Sequence, residues 1–344
     1  MPERKTSLSL SRRDFLRYAG TEVATSLLPW PIIQFFFESE QPGSIKKRGT
    51  ENLDFREKRQ LSRKALIVGG GVTDANNYLG FYLDTLLWYY LCRDILLVPS
   101  SDITVLYFDG RPPQKDQILN MTADRQTKVY LKRLLTIYPT AGLPIAAEAT
   151  KNQFQKHLSD LVSTPEVAQL LVFRSGHGTL HWEETSQGQR TAYSAMRFLG
   201  DKLLTSEEYR QALQGNQNGA VVSFLNQCEA LLFLQLTETI PNLAILTSNG
   251  SSGMVERALQ DKRINISWPW SMAAREALLY PHLADPDRNG QINLHEMQRY
   301  ILAHDYMATT GFNAEWSLEP VRTHPGFSWG AAINPQELIL LQYQ

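Results

Sequence analysis

The sequence predicts an α/β fold with a mostly parallel central sheet and helices on both faces, and three observations predict it. Short runs of strand length recur between helix-patterned stretches, at 65–68, 103–108, 170–173, 220–225 and 243–246. The runs are largely apolar instead of alternating, as strands covered on both faces are. Three of them end in polar loops rich in Gly, Asn or Ser, and in open parallel sheets chemistry collects in the loops at the carboxyl ends of strands.

Taken in order, Ala65-Leu66-Ile67-Val68 reads as a buried strand ended by Gly69-Gly70-Gly71. Residues 76–91 are apolar and aromatic at helical spacing. The 103–108 run is closed by Asp109-Gly110, and helical patterns follow near 127–137 and 153–162. The 170–173 strand runs into Ser175-Gly176-His177-Gly178. Two alternating runs in 180–199, around Ser186-Gln187-Gly188-Gln189, predict a hairpin. A short helix spans 206–213, and the 220–225 strand runs into Asn226-Gln227-Cys228-Glu229. The 243–246 strand ends at Thr247-Ser248-Asn249-Gly250. Helices are expected at 271–279 and 294–303, and the last apolar run, 338–341, is expected to dock on the sheet edge.

The 344 residues leave room for one large domain with appendages, and 43% hydrophobic against 20% charged residues excludes wholesale disorder. A formal net charge of −1 provides no basic field for a nucleic-acid backbone. Two cysteines, Cys92 and Cys228, exclude a disulfide scaffold and a cysteine-rich zinc site, and they form no haem or iron–sulfur cysteine pattern. A dinucleotide fingerprint fails as well, because the third glycine that Gly69-Gly70-Gly71 would require falls on Asp74.

Ser11-Arg12-Arg13-Asp14-Phe15-Leu16-Arg17 looks like a twin-arginine export signal, and a mostly apolar stretch follows to Phe37. Residues 1–37 are therefore expected to be this signal or a membrane anchor, and 38–63 a polar linker. The expected locations are bacterial and exported, either periplasmic or tethered to the membrane. A single main domain is expected at 64–308, with 309–344 a tail packing on it.

A cysteine nucleophile needs a base within reach and backbone N–H donors for the oxyanion formed in acyl transfer. His177 and Cys228 follow consecutive strands at the same expected sheet edge, 51 positions apart. Each residue alone reads more simply as structural, a buried small cysteine or a core histidine; the shared placement makes the pair candidates for nucleophile and base. Gly178 beside His177 lets backbone and substrate approach closely, so the N–H groups of Gly178 and Cys228 are the candidate oxyanion hole.

Phe173-Arg174-Ser175-Gly176-His177-Gly178 resembles the strand-then-Gly-His-Gly element of caspase-like cysteine peptidases. Leu225-Asn226-Gln227-Cys228-Glu229-Ala230 resembles their strand-then-catalytic-Cys element, and its Cys-Glu pair is closer to legumain-type and transamidase-type members. Residues 67–90 resemble the first strand of legumain, its Asn-Tyr element (Asn77-Tyr78) and the helix beyond. The likeness spans roughly 64–303. It implies a caspase-hemoglobinase fold, hydrolysis of peptide bonds in a protein or peptide substrate, His177 and Cys228 as the catalytic dyad, and Asn77 shaping the nearby pocket. Two departures bear on substrate choice: Ala230-Leu231 stands where legumain-type members have Ser-Gly, and Leu79 where they have a basic specificity residue. A preference for Asn or Asp at the cleaved bond is therefore not carried over.

Asp285 to Glu296 matches the twelve-residue calcium loop of an EF-hand, with Asp285, Asp287, Asn289, Gln291 and Glu296 as candidate ligands and Gly290 at the sharp turn. The other reading of this segment is a turn and helix N-cap closed by its own oxygens. Catalysis requires no cofactor in this scheme, and calcium would be a structural brace. Two further functions stand beside the peptidase: a non-catalytic, calcium-responsive or partner-binding protein, and an amidase or transpeptidase using the same dyad.

Overall fold

The computed structural model describes residues 62–77, 79–113, 132, 135–136, 138–139, 143–164, 167–184, 188, 190–214, 219–248, 269–304 and 325–343. The export-signal and most of the linker assignments, and most of the 127–137 helix, fall outside these residues. Of the chain's two compact units, nearly all described residues belong to the one formed by 55–121 and 138–344. Among the described residues no helix is long and apolar enough to cross a membrane.

The structure is α/β with a seven-stranded, mostly parallel sheet. Its strands are β1 (Arg63–Gly70), β2 (Ile103–Tyr107), β3 (Ile145–Ala147), β4 (Gln169–Gly176), β8 (Ala220–Asn226), β9 (Leu243–Thr247) and β11 (Gly326–Trp329). They lie in the order β11-β9-β8-β4-β1-β2-β3, all parallel except β11, which pairs antiparallel with β9. β5 (Gly178–Glu184), β6 (Arg190–Phe198) and β7 (Lys202–Thr205) form a separate antiparallel sheet growing directly out of β4. The expected hairpin is β5–β6; the third strand carries too short an apolar run to be seen in the sequence.

One sheet face is covered by α1 (Leu79–Asp94) and α5 (Pro269–Leu279). A row of aromatic rings fills that interface: Trp88 stacks on Phe173 at 4.1 Å, Phe173 on Phe224 at 4.8 Å, and Phe224 meets Trp270 at 6.5 Å. Offset ring contacts of this kind add to the burial of large apolar area. The other face packs on α2 (Lys151–Val162), α3 (Ser206–Leu213) and α4 (Leu231–Leu234), with Phe154, Leu158, Tyr209 and Phe233 against Leu66, Val172, Val221 and Ile245. Both longer helices start on caps: Thr150 accepts the Gln153 N–H, and Thr205 and Glu208 form a reciprocal capping box.

α1 begins three residues later than the apolar pattern implies. Asn76 and Asn77 spend their side chains on the preceding loop, whose 3-10 turn spans Asp74–Asn76, and such local bonding competes with helix formation. The end of the chain also departs from expectation. The antiparallel edge strand is β11, whereas the last strand, β12 (Ile339–Gln342), pairs with β10 (Gln291–Asn293) inside the acidic loop. A short apolar terminal run calls for a partner strand but does not specify which edge supplies it.

Glu276 on α5 is 1% exposed, with one oxygen bonded by Tyr300 and Oε2 without a partner. Burial pushes its carboxyl up to about 7 from 4.5. The folded chain thus holds a proton that the unfolded chain releases, and stability present below pH 4.5 falls as pH rises toward 7. Glu276→Gln is expected to melt like wild type at pH 4 and to be more stable by about 3 kcal/mol at pH 8, read by thermal or urea unfolding at both pH values.

Candidate functional site

The strands that carry the two candidate residues are hydrogen-bonded neighbours. β4 and β8 run parallel with Ser175 opposite Asn226. His177 lies two positions beyond Ser175, and Cys228 two beyond Asn226. The 51-residue spacing in the sequence is thus the same offset that sets the strand register, and the two residues leave the sheet side by side.

Gly178 closes the approach. A Cβ added to it would sit 2.0 Å from the Cys228 carbonyl oxygen and 3.0 Å from Gln227 Nε2. Only a residue without a side chain lets the start of β5 lie against the backbone after β8. The requirement is steric, since the backbone at 178 is not in the left-handed region.

His177 is held on three sides. Its Nε2 lies 2.9 Å from the Asn76 carbonyl oxygen, its ring meets the edge of Phe81 at 5.1 Å, and its own carbonyl accepts the Arg197 N–H at 2.9 Å. A carbonyl can only accept, so the ring proton sits on Nε2 and the lone pair on Nδ1. Burial lowers the His177 pKa below its ordinary 6.5; the Asn76 bond opposes that shift, while Arg174 and Arg197 add to it. Burial accordingly favours the neutral imidazole.

Asn76 went unnoticed in the sequence because it acts through a backbone carbonyl, which carries no residue signature. The loop that presents it is tightly specified. Asn76 Oδ1 accepts the N–H groups of Val72 and Thr73, and Asn77 Oδ1 accepts that of Gly71. Asn77 Nδ2 donates to the Tyr107 hydroxyl at 3.1 Å. Asn77, expected to shape the pocket, has its amide engaged in holding this loop. Arg174 is the second unforeseen residue: buried over the Phe198 ring, it donates to the Ser175 and Arg197 carbonyls and braces the turn into β5.

Cys228 is half-buried, whereas Cys92 is fully buried and its thiol pKa is pushed up by that burial. Costs gather beside Cys228. Gln227 is 0% exposed with neither amide atom hydrogen-bonded, and Glu229 adopts φ 55 with Oε2 buried and unpartnered. Left-handed backbone in a non-glycine residue and buried orphan polar atoms each cost on the order of 1–3 kcal/mol, and such costs persist chiefly at functional sites.

In the acidic loop, carboxylate oxygens of Asp285, Asp287 and Glu296 lie within 4.8 Å of one another. The loop is also closed on itself. Asp285 accepts from Asn289 N, Gly290 N and the Tyr343 hydroxyl; Asn289 Oδ1 accepts from Gln291 N; and Asn293 and Glu296 cap α6 (Leu294–His304) reciprocally. Gly290, at φ 76, takes the sharp turn. Gln291 belongs to β10, where its backbone is in register with Gln342.

No family model and no curated protein matches the chain. Among solved structures it is similar to caspase-1 from Spodoptera frugiperda, at 11% identity over 86% of this chain and 98% of that one, with a TM-score of 0.49. It is also similar to a protein from Geobacter sulfurreducens, at 10% identity over 82% of this chain and 97% of that one, with a TM-score of 0.46.

Proposed function

We propose that this protein is a caspase-fold cysteine peptidase in which Cys228 is the nucleophile and His177 the base. The observation that carries the reading is the register: each residue sits two positions beyond a member of the Ser175–Asn226 pair, with Gly178 against the Cys228 carbonyl. The strained and unsatisfied groups flanking Cys228 support a functional rather than a packing role for it.

In this mechanism the Cys228 thiol gives its proton to Nδ1 of His177, and the sulfur attacks the carbonyl carbon of the scissile peptide bond. The N–H groups of Gly178 and Cys228 stabilise the resulting oxyanion. The imidazolium returns the proton to the departing amine, leaving a thioester on Cys228. Water, deprotonated by His177, then hydrolyses the thioester, releasing the acid and restoring the thiol.

A positional-scanning peptide library tests this on wild type and Cys228→Ala. Cleavage by wild type and none by the variant is expected; cleavage persisting unchanged in Cys228→Ala would sink the mechanism. Cleavage by neither protein would favour a partner-binding role. Ligated instead of hydrolysed products would identify a transpeptidase.

The acidic loop is read, within the same proposal, as a structural calcium brace, since three clustered carboxylates keep lone pairs that calcium can use. Millimolar calcium is then expected to raise the melting temperature of wild type by a few degrees relative to a chelator. The exposed Asp287 can be replaced without disturbing the core, and Asp287→Ala should lose the shift. An equal melting temperature of wild type with and without calcium would leave the loop as a self-capped turn.

A further inference from the structure

Beneath the dyad, on the α1 face of the sheet, lies a buried polar cluster that the chemistry above does not use. Asp84 on α1 is 0% exposed. Its Oδ2 accepts the Ser175 hydroxyl at 3.0 Å and the Asn226 amide at 2.9 Å. Its Oδ1 pairs with the Arg275 guanidinium from α5, which also donates to Ser271, itself bonded by the Trp88 indole. Asn226 also donates to Ser175 at 3.4 Å.

Two features make this more than a satisfied core. First, the neighbouring layer is wholly aromatic, Trp88, Phe173, Phe224 and Trp270, so apolar residues could fill the space. A buried ion pair gives little net stability over such residues, because desolvation offsets the attraction. Second, one oxygen of one carboxylate holds both strand ends, each two residues short of a dyad member. That span is two residues on each side, through Gly176 at the end of β4 and through the fully buried Gln227.

Resting on the peptidase reading, the geometry points to Asp84 as a positioning residue: its carboxylate clamps Ser175 to Asn226 and so sets the distance between His177 and Cys228. Ser175 and Asn226 are the two jaws of the clamp, and Arg275 holds the carboxylate in place from α5.

The test separates clamping from simple stability with two double variants. Asp84→Leu with Arg275→Met removes the ion pair and the acceptor together, leaving no unpaired charge. Asp84→Asn with Arg275→Met also removes the ion pair but keeps a neutral oxygen for Ser175 and Asn226. Two readouts are used at temperatures well below each melting point: kcat on a library-selected peptide, and the pH profile of iodoacetamide alkylation at Cys228, followed by mass spectrometry. Cys92, fully buried, does not interfere.

The leucine variant is expected to lose kcat by about 100-fold, the usual consequence of misplacing reacting groups by about 1 Å. Its alkylation profile should shift to higher pH, as the thiol loses its partner. The asparagine variant should recover most of both. If the two variants behave alike, or if the leucine variant keeps the wild-type kcat and profile, the clamp is overturned and the cluster is only structural. If wild type and His177→Ala alkylate identically, it is the dyad reading itself that fails, and the two failures are thereby told apart.

Discussion

His177→Ala is expected to lower kcat/KM for peptide cleavage by about 10²–10⁴-fold, the range typical for losing a positioned general base. The size follows from what the ring does in place. Its Nε2 is committed to the Asn76 carbonyl, so the tautomer is fixed and only Nδ1 carries a lone pair. The fold should survive, because the ring lies just past the carboxyl end of β4 rather than within the aromatic layer.

The same geometry determines the pH dependence. Burial lowers the His177 pKa, so the neutral base persists to lower pH than an ordinary histidine would allow. The acidic limb of kcat/KM is expected below pH 6.5, and a limb at or above that value would contradict a desolvated base. Steady-state rates across pH 4–9, taken with the melting temperature at each pH, check both the fold-change and the limb.

Gly178→Ala is the second large effect expected. The added methyl would lie 2.0 Å from a backbone carbonyl, that of Cys228, which cannot swing aside as a side-chain tip can. Relief requires β5 to move away from the end of β8 by more than 1 Å, and this separates the two candidate oxyanion donors. A loss of about 100-fold in kcat, with KM changing less, is expected because the donors act on the transition state. Overpacking should also cost about 1–3 kcal/mol of stability. Wild-type kcat in a folded Gly178→Ala protein would remove Gly178 from the site.

The strand ends show how sequence and structure divide the information. The apolar runs at 65–68, 170–173 and 220–225 became β1, β4 and β8 because continuous apolar stretches of that length fit only where both faces are covered. Their polar ends marked His177, Gly178 and Cys228. Short elements lacked such a signal: β3 has three residues, β7 four, and α4 four, too few for a period to register. The last strand was expected on the sheet edge and instead pairs with β10, since a four-residue pattern does not choose between β9 and β10.

By itself, then, the sequence determined that this chain forms a layered α/β sheet and that one histidine and one cysteine follow strands at its chemical edge. Periodicity and the residue types that chemistry requires are local properties and can be read along the chain. Only the tertiary structure decided that β4 and β8 are adjacent and in a register that levels the two residues, because strand order is a property of the assembled sheet. It also decided the contacts of Asn76, Arg174 and Asp84. The first acts through its backbone, and the other two through contacts with residues up to 191 positions away, and neither kind of partnership leaves a mark on the residue itself.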